Sequence, residues 1–326
     1  MKAVLCKAFG DPSTLVVEEI DSPPLAPGEI RIGIHACGIN FGDTLMISGQ
    51  YQVKPPFPFS PGLEVSGEVL ETGGGVNGFK PGDRVVALCD YGGYADEIVV
   101  PATVVLPIPE ALDTITAAAF PVAYGTAHLA LSHRARLQPG ETLLVHGAAG
   151  GVGLTAVEVG KRLGATVIAA ASTPEKLQIA AAKGADHLLN TSQESIRDRV
   201  KELTGGKGAD VIYDPVGGDS FDQSLRCINW EGRLLVIGFA SGKIPRLPTN
   251  LTLVKNFSVV GVYWGAYMKR DPGVLTDSLA VLLDWYTEGK LQPHVSQTYP
   301  LEAAAEAMNT LIKRQSTGKV VLTTGR

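Results

Sequence analysis

The fold is decided by the stretch Leu143-Leu144-Val145-His146-Gly147-Ala148-Ala149-Gly150-Gly151-Val152-Gly153-Leu154, where an apolar run leads directly into a glycine-rich turn. Beyond the turn, apolar residues recur at helical spacing on one face: Val152, Ala156, Val159 and Leu163. This spacing predicts a helix, so the turn joins a strand to a helix. Such a junction favours pyrophosphate binding, because the N-terminus of a helix presents unpaired N–H groups and a positive dipole end.

The glycines of this turn let a ligand approach the backbone closely. Gly150, Gly151 and Gly153 suit this role, with Val152 between them, whereas Ala148 replaces the first glycine of the common G-x-G-x-x-G pattern. We therefore predict dinucleotide binding at residues 150–153. A tight strand–helix turn without a ligand is the alternative.

The surrounding sequence repeats the strand–helix alternation. Six apolar runs between residues 120 and 264 are predicted strands: Thr142–His146, Thr166–Ala170, His187–Asn190, Ala209–Tyr213, Arg233–Ile237 and Ser258–Val262. Helical stretches separate at least the first four of them. Alternation at this spacing predicts right-handed crossovers and a doubly wound parallel sheet.

The first 120 residues are instead β-rich. Apolar residues alternate with other residues in Glu29–Ala36, the pattern of a half-buried strand. Further strands are predicted at Glu64–Leu70, Arg84–Leu88 and Tyr94–Val100. A Pro-Gly pair precedes three apolar runs, at residues 27–28, 81–82 and 139–140, and predicts type II turns.

The sequence after Trp264 is too short for a third domain with a sizeable core. It contains predicted helices at Val274–Thr287 and Leu301–Lys313 and a predicted strand at Lys319–Thr323. We expect this tail to pack on the N-terminal β-rich domain.

Composition limits the function classes. The chain has 326 residues, of which 45% are hydrophobic and 38 are glycine, and its net charge is −5. Without a basic run or a long apolar stretch, it gives no indication of nucleic-acid or membrane binding. The N-terminus lacks a signal-peptide pattern, and the four cysteines are too widely spaced for a disulfide framework or zinc cluster. We expect a cytoplasmic protein.

The second predicted strand indicates which dinucleotide is bound. An NAD enzyme places a carboxylate near its end, but here Ser172 stands at the tip and Glu175 comes only in the next helix. A serine hydroxyl and the Lys176 ammonium suit a 2′-phosphate, so NADP is favoured. The alternatives are a helix N-cap for Ser172 and a solvated helix face for Lys176.

The end of the fifth predicted strand also contributes. Gly238, Phe239 and Ala240 stand there, and the carboxyl ends of strands line the ligand crevice in open α/β sheets. We therefore expect them near the nicotinamide. The nearby Lys243 does not complete a P-loop, since three residues separate the glycines and Ile244 follows.

The chain resembles the zinc-independent quinone oxidoreductase family, which includes zeta-crystallin, of the medium-chain dehydrogenase/reductase superfamily. Besides the glycine turn, the resemblance rests on four landmarks: residues 38–43 (Gly-Ile-Asn-Phe-Gly-Asp), 61–67 (Pro-Gly-Leu-Glu-Val-Ser-Gly), 79–85 (Phe-Lys-Pro-Gly-Asp-Arg-Val) and 318–322 (Gly-Lys-Val-Val-Leu). Zinc dehydrogenases of the superfamily have a cysteine where Asn40 stands and a histidine where Leu63 precedes Glu64. No metal is therefore expected.

The resemblance implies a GroES-like catalytic domain formed by residues 1–122 and 265–326. A Rossmann domain, residues 123–264, is inserted into it. The family also implies NADPH as cofactor and a homodimer formed through the cofactor domain. Its typical activity is the reduction of quinones or α,β-unsaturated carbonyl compounds.

The family positions suggest further site residues. Asn40 and Tyr51 match positions that face the nicotinamide and would polarise a carbonyl. The alternatives are an N-cap of the helix over 41–47 for Asn40 and a packed loop aromatic for Tyr51. Val262 and Trp264 are expected beside the cofactor, and Arg314 is a candidate for the 2′-phosphate.

One departure bears on the cofactor. Many relatives have a tyrosine after the asparagine that ends the third strand, where this chain has Asn190-Thr191. The change removes an aromatic wall near the adenosine of the cofactor.

We therefore expect an NADPH-dependent, zinc-free reductase of quinones or enones. An enoyl-thioester reductase of the same fold is one alternative. An NADPH-binding structural or regulatory protein with vestigial turnover is the other.

Overall fold

The computed structural model describes residues 1–326, which divide into two compact units. Unit 1 comprises Met1–Val122 and Pro293–Arg326, and unit 2 comprises Ala123–Gln292. No helix has the length and apolar character needed to cross a membrane.

The strands and helices follow one another along the chain. The strands are β1 (Lys2–Leu5), β2 (Val16–Glu19), β3 (Glu29–Ile39), β4 (Glu64–Thr72), β5 (Arg84–Leu88), β6 (Glu97–Pro101), β7 (Val105–Pro107), β8 (Thr142–His146), β9 (Thr166–Ala171), β10 (His187–Asn190), β11 (Ala209–Asp214), β12 (Ile228–Val236), β13 (Ser258–Gly261), β14 (Val295–Pro300) and β15 (Lys319–Thr323). The α-helices are α1 (Phe41–Ile47), α2 (Thr114–Ala118), α3 (Pro121–His128), α4 (Gly151–Arg162), α5 (Pro174–Ala182), α6 (Ile196–Leu203), α7 (Asp219–Cys227), α8 (Thr249–Lys255), α9 (Tyr267–Arg270), α10 (Pro272–Thr287) and α11 (Ala304–Ile312).

Unit 1 is built on a seven-stranded sheet in the order β14-β15-β3-β4-β5-β7, with β6 also paired to β3. The alternation in β3 follows the prediction, since Ile30, Ile32, Ile34 and Ala36 are fully buried. The last strand β15 pairs antiparallel with the end of β3. The two ends of the chain therefore share one sheet.

The Pro-Gly turns have the predicted geometry. Gly28, Gly82 and Gly140 have φ values of +82°, +90° and +84°, a conformation that glycine adopts without strain. In each turn, the residue after the glycine donates its N–H to the carbonyl three residues earlier. Each turn precedes a strand, and the residue after the first turn, Glu29, begins β3.

Unit 2 contains a six-stranded parallel sheet in the order β10-β9-β8-β11-β12-β13. This is the Rossmann order, in which the strand order reverses between β8 and β11 and leaves a ligand crevice there. The predicted fold class is confirmed. The glycine turn follows β8 and therefore lies at this switch point.

The second boundary between the units differs from the prediction. Residues 265–292, expected with the GroES-like domain, belong to unit 2. The reason is the packing of α10: the Ser278 hydroxyl lies 2.7 Å from His128 Nδ1, and the Trp285 ring contacts His128 and Arg162. Its leucines Leu275, Leu279 and Leu282 are buried.

Candidate functional site

The glycine turn is shaped by two close backbone approaches. A Cβ atom on Gly153 would lie 2.2 Å from the carbonyl oxygen of Gly147, so no side chain fits there. Gly147 itself has φ of +57°, and its carbonyl accepts the N–H of Gly150 at 2.9 Å. The sequence therefore needs glycine at 153 to bring the start of α4 against the end of β8.

The first turn of α4 has N–H groups available for an anion. The first helical hydrogen bond runs from the Leu154 N–H to the Gly150 carbonyl at 2.8 Å. The N–H groups of Gly151, Val152 and Gly153 precede it and have no acceptor within the helix. With the helix dipole, they form a cradle that fits a pyrophosphate.

Ser172 and Lys176 follow β9 at the same edge of the sheet. Ser172 is exposed directly after the strand, and its carbonyl accepts the hydroxyl hydrogen of Ser192 at 2.8 Å. The helix cap is Thr173, whose hydroxyl accepts the Lys176 N–H at 3.3 Å, so the N-cap alternative for Ser172 is wrong. No carboxylate stands at the tip of β9, and Glu175 lies exposed in the first turn of α5.

The ends of β11 and β12 supply the opposite side of the switch point. Asp214 Oδ1 accepts the N–H groups of Val216 and Gly217, each at 2.9 Å, and so fixes the loop after β11. The segment 238–240 lies against this loop, with the Ala240 N–H donating to the Pro215 carbonyl at 3.0 Å. Gly238, Phe239 and Ala240 are half-buried at the carboxyl ends of the strands, where the sequence predicted a binding surface.

The remaining predicted cofactor residues are in different surroundings. Val262 is half-buried after β13 and donates its N–H to the Val236 carbonyl at 3.1 Å. Trp264 is a core residue of unit 2: its ring lies so close to Gly125 that a Cβ there would be 2.8 Å away. Arg314 is exposed beyond α11 in unit 1, whereas Ser172 and Lys176 belong to unit 2. The roles of all three residues stay predictions.

Asn40 belongs to a buried polar cluster in unit 1, which we call the Lys319 cluster (Asn40, Glu64 and Lys319). The Lys319 ammonium donates to Asn40 Oδ1 at 2.7 Å, Glu64 Oε1 at 2.8 Å and the Ile39 carbonyl at 2.8 Å. Glu64 is fully buried, and its Oε2 accepts the Val122 N–H at 2.8 Å. Every charge in this cluster therefore has a direct partner.

The amide of Asn40 is committed within the Lys319 cluster. Its Nδ2 donates to Glu64 Oε1 at 2.9 Å and to the Gly38 carbonyl at 3.2 Å. Both amide hydrogens of Asn40 are therefore used within the protein. Asn40 is also the N-cap residue of α1, the alternative that the sequence offered, and its side chain bonds to the cluster. The cation beside Glu64 is the Lys319 ammonium.

Asp43 extends the polar interior next to this cluster. Its Oδ2 accepts the Asn40 N–H at 2.8 Å and the Tyr94 hydroxyl hydrogen at 3.0 Å, while Oδ1 receives no hydrogen bond from the protein. Complete burial raises the pKa of Asp43 to about 7, against the opposing effects of the Asn40 N–H and the Lys319 charge. Asp43 is therefore poised between its charged and neutral forms near neutral pH.

Tyr51 lies over the first turn of α1. Its ring is half-buried, and a Cβ atom on Gly42 would lie 3.2 Å from Tyr51 Cε2 and 3.3 Å from Leu63 Cδ1. The Tyr51 N–H donates to the Leu45 carbonyl at 3.1 Å. The ring is thus packed on one side, and its partial exposure suits a hydrogen-bonding role.

Several residues of this region escaped the sequence analysis. In the sequence, Asp43, Glu64 and Lys319 stand only within the family landmarks, and no local pattern gives them a role. Each charged strand residue lies inside an apolar run, Leu63-Glu64-Val65 or Lys319-Val320-Val321. A charge at such a position is rarely buried without a partner, which was the available indication.

Comparisons with known proteins agree with this geometry. Residues 26–110 match the alcohol dehydrogenase GroES-like domain, and residues 151–280 match the zinc-binding dehydrogenase domain. A quinone oxidoreductase-like protein 2 homolog from Nematostella vectensis is 45% identical over 99% of this chain and 89% of its own length. Escherichia coli quinone oxidoreductase, solved with NADPH, is 32% identical over 99% of this chain and all of that one, with a TM-score of 0.92.

A third relative differs in its reaction. The CurK enoyl reductase is 25% identical, with a TM-score of 0.90 over 99% of this chain and 98% of its own.

A Rossmann unit inserted into a GroES-like β unit defines an oxidoreductase of the medium-chain dehydrogenase/reductase superfamily. Within that superfamily, the chain belongs to the zinc-independent quinone oxidoreductase family.

Proposed function

We propose that this protein is an NADPH-dependent reductase that transfers hydride to quinones or α,β-unsaturated carbonyl compounds without a metal. The observation that carries the proposal is the cradle at Gly153, which admits no side chain and places three N–H groups at a helix N-terminus. The similar Escherichia coli enzyme, solved with NADPH, supports the choice of cofactor.

Each part of the site has a proposed task. NADPH supplies the hydride, so the protein needs no nucleophile. The N–H groups of residues 151–153 bind the pyrophosphate, and Ser172 and Lys176 bind the 2′-phosphate. The segment 238–240 and Val262 border the nicotinamide. The Tyr51 hydroxyl donates a hydrogen bond to the acceptor oxygen, where negative charge develops during transfer.

The Lys319 cluster holds the start of α1 in position beneath Tyr51. Asn40 cannot move without breaking its bonds to Lys319 and Glu64. Because these partners are buried, the cost of breaking them keeps Asn40 and the first turn of α1 fixed. We propose that Asn40 contributes in this way to the reaction.

Turnover measurements separate the alternatives. NADPH consumption is measured with a panel of quinones and enones, and with an enoyl-CoA alongside the free enone. Turnover of quinones or free enones is the expected result. Turnover of the thioester alone would favour an enoyl-thioester reductase, for which the CurK relative gives a precedent. NADPH binding without turnover of any acceptor would favour the structural or regulatory alternative.

A homodimer through unit 2 is part of the proposal. The edge strand β13 leaves main-chain groups unpaired, and the adjacent α8 exposes Leu253 (78%) and Val254 (68%). An exposed edge next to apolar side chains suits pairing with a second copy. Light scattering should give twice the chain mass, and Leu253→Glu with Val254→Glu should give the monomer. A wild-type monomer would refute the pairing.

The proposed compartment is the cytoplasm. All four cysteines are free and buried, as expected of a protein in a reducing compartment.

A further inference from the structure

Two chain segments connect the units, and both meet one carboxylate in unit 2. The first segment enters unit 2 at Ala123, and the second leaves it at Gln292. Glu158 is buried, and its two oxygens are divided between these segments. Oε2 accepts the hydroxyl hydrogen of Tyr124, and Oε1 accepts the main-chain N–H of Gln292 at 2.9 Å.

Two further contacts tie the same segments. Lys183 donates its ammonium hydrogen to the Gln292 carbonyl and lies 3.9 Å from Glu158 Oε1. Thr155 donates its hydroxyl hydrogen to the Ala123 carbonyl at 3.0 Å. The first segment is therefore held at the Ala123 carbonyl and the Tyr124 hydroxyl, and the second at both main-chain groups of Gln292. The contacts join residues that are 32, 34, 109 and 134 positions apart, so local sequence does not dictate them.

Thr155 and Glu158 lie one turn apart on α4, the helix whose first turn forms the glycine cradle. Residues 153–160 of this helix are all buried, so the helix is packed on every side. A ligand that orders the first turn of α4 lowers the population of locally opened states of the helix. Hydrogen bonds of Thr155 and Glu158 connect this helix directly to Ala123, Tyr124 and Gln292.

We infer that Glu158 couples occupation of the glycine turn by NADPH to the order of both connecting segments. This inference rests on the proposed placement of NADPH at that turn, and it does not depend on the electron acceptor. Glu158 acts through the segments that it holds and is therefore a positioning residue. A residue that only fills space in unit 2 would stabilise the unit without transmitting cofactor binding.

Hydrogen exchange of three peptides, with and without NADPH, tests the coupling: residues 147–154, 121–128 and 289–294. In the wild type, NADPH should slow exchange in all three. Glu158→Met keeps a side chain of similar length but removes both acceptors. It should speed exchange in the two connecting peptides about 10-fold or more, because buried donors lose their partners. NADPH should then protect only residues 147–154. Glu202→Met, an exposed position on α6, is the control and should match the wild type.

The outcomes separate this inference from the proposed function. Continued NADPH protection of the connecting peptides in Glu158→Met would reduce Glu158 to a packing residue. Absence of protection in those peptides in the wild type would refute the coupling alone. Absence of protection at residues 147–154 in the wild type would refute the cofactor placement and the coupling together.

A milder variant, Tyr124→Phe, tests the coupling even if Glu158→Met does not fold. Tyr124→Phe removes one oxygen and leaves the ring in place. It should speed exchange at residues 289–294 as well as in its own segment, since both segments share Glu158. Faster exchange confined to residues 121–128 would overturn the coupling.

Discussion

Two regions of the molecule hold their backbone in place in opposite ways: the glycine turn of unit 2 and the Lys319 cluster of unit 1. The turn depends on missing side chains: Gly153 leaves room for a backbone approach and keeps N–H groups available. The cluster depends on side chains that satisfy one another, with the Lys319 ammonium bonded to Asn40 and Glu64 in the interior.

This difference indicates how each region responds to change. A substitution in a region that offers unpaired groups to a ligand changes the affinity for that ligand. A saturated buried cluster loses stability when one member is removed, because its partners stay buried without compensation. Five predictions test the contrast, beginning with the largest effect.

Lys319→Met should be the most damaging change. It leaves the fully buried Glu64 carboxylate without its cation, and breaking a buried pair typically costs about 3–5 kcal/mol. Urea unfolding measures the loss of unfolding free energy. Lys313→Met, at an exposed position beyond α11, is the control. A loss no greater than that of the control would contradict the account of the cluster.

Tyr51→Phe should lower turnover and leave NADPH affinity nearly unchanged. If the Tyr51 hydroxyl stabilises charge mainly in the transition state, its removal should cost about 10²–10³-fold in rate. Steady-state kinetics and NADPH titration separate the two effects. Tyr91→Phe, at an exposed tyrosine of unit 1, is the control. Wild-type turnover on every active substrate would leave Tyr51 as a packing residue.

Ser172→Asp with Lys176→Ala should reverse the cofactor preference. Charge-assisted hydrogen bonds to the 2′-phosphate are worth about 1.5–3 kcal/mol, so the wild type should prefer NADPH by about 10- to 100-fold. The new carboxylate would repel the phosphate and accept the 2′-hydroxyl of NADH. Dissociation constants of both cofactors are compared, with Lys207→Ala as control. Equal affinity of the wild type for the two cofactors would refute the assignment to NADP.

Asp43 should make wild-type stability fall as pH rises. Burial raises the folded pKa of Asp43 to about 7, while the unfolded side chain ionises near its ordinary 3.8. Between these values only the unfolded chain loses the proton, so folding stability decreases by up to about 1.4 kcal/mol per pH unit. Asp43→Asn lacks this titration and should gain relative to the wild type between pH 5.5 and 6.5. Urea unfolding at both pH values provides the measurement; parallel behaviour of the two proteins would contradict the assignment.

Metal removal should have the smallest effect. Asn40 and Leu63 replace two zinc ligands of the zinc dehydrogenases, and the Lys319 ammonium would repel a cation at Glu64. Chelators should therefore leave activity intact, and elemental analysis should find no stoichiometric zinc. About one zinc per chain would refute this prediction.

The glycine turn could be read from sequence because it is local. A strand, the glycines at 150, 151 and 153 and a helical repeat stand within residues 142–163, so neighbouring residues carry the whole pattern. The same local logic predicted the alternation of β3 and the three Pro-Gly turns. Helix α10 shows the limit of local patterns. Its apolar face is predicted by the sequence, but the part of the protein against which that face packs is not.

The Lys319 cluster could not be read in this way. Asn40 lies 24 positions from Glu64 and 279 from Lys319, so only the completed sheet of unit 1 brings them together. The raised pKa of Asp43 has the same origin, because its burial arises from distant elements such as the loop that carries Tyr94. The contacts of Glu158 have the same origin, because its partners Tyr124 and Gln292 lie 34 and 134 positions away.

The pairing of β15 with β3 has a consequence for biosynthesis. Ile39 and Lys319, whose strands share one sheet, are synthesised 280 positions apart, and the contiguous unit 2 is available to fold before unit 1 has all its strands. Until residue 319 has been added, Glu64 has no ammonium and the end of β3 has an unpaired edge. A chain released before that point therefore exposes an aggregation-prone strand edge and an uncompensated carboxylate. Quality-control proteases and chaperones act on such incompletely folded chains. The pairing of β15 thus makes the stability of unit 1 depend on synthesis through this strand.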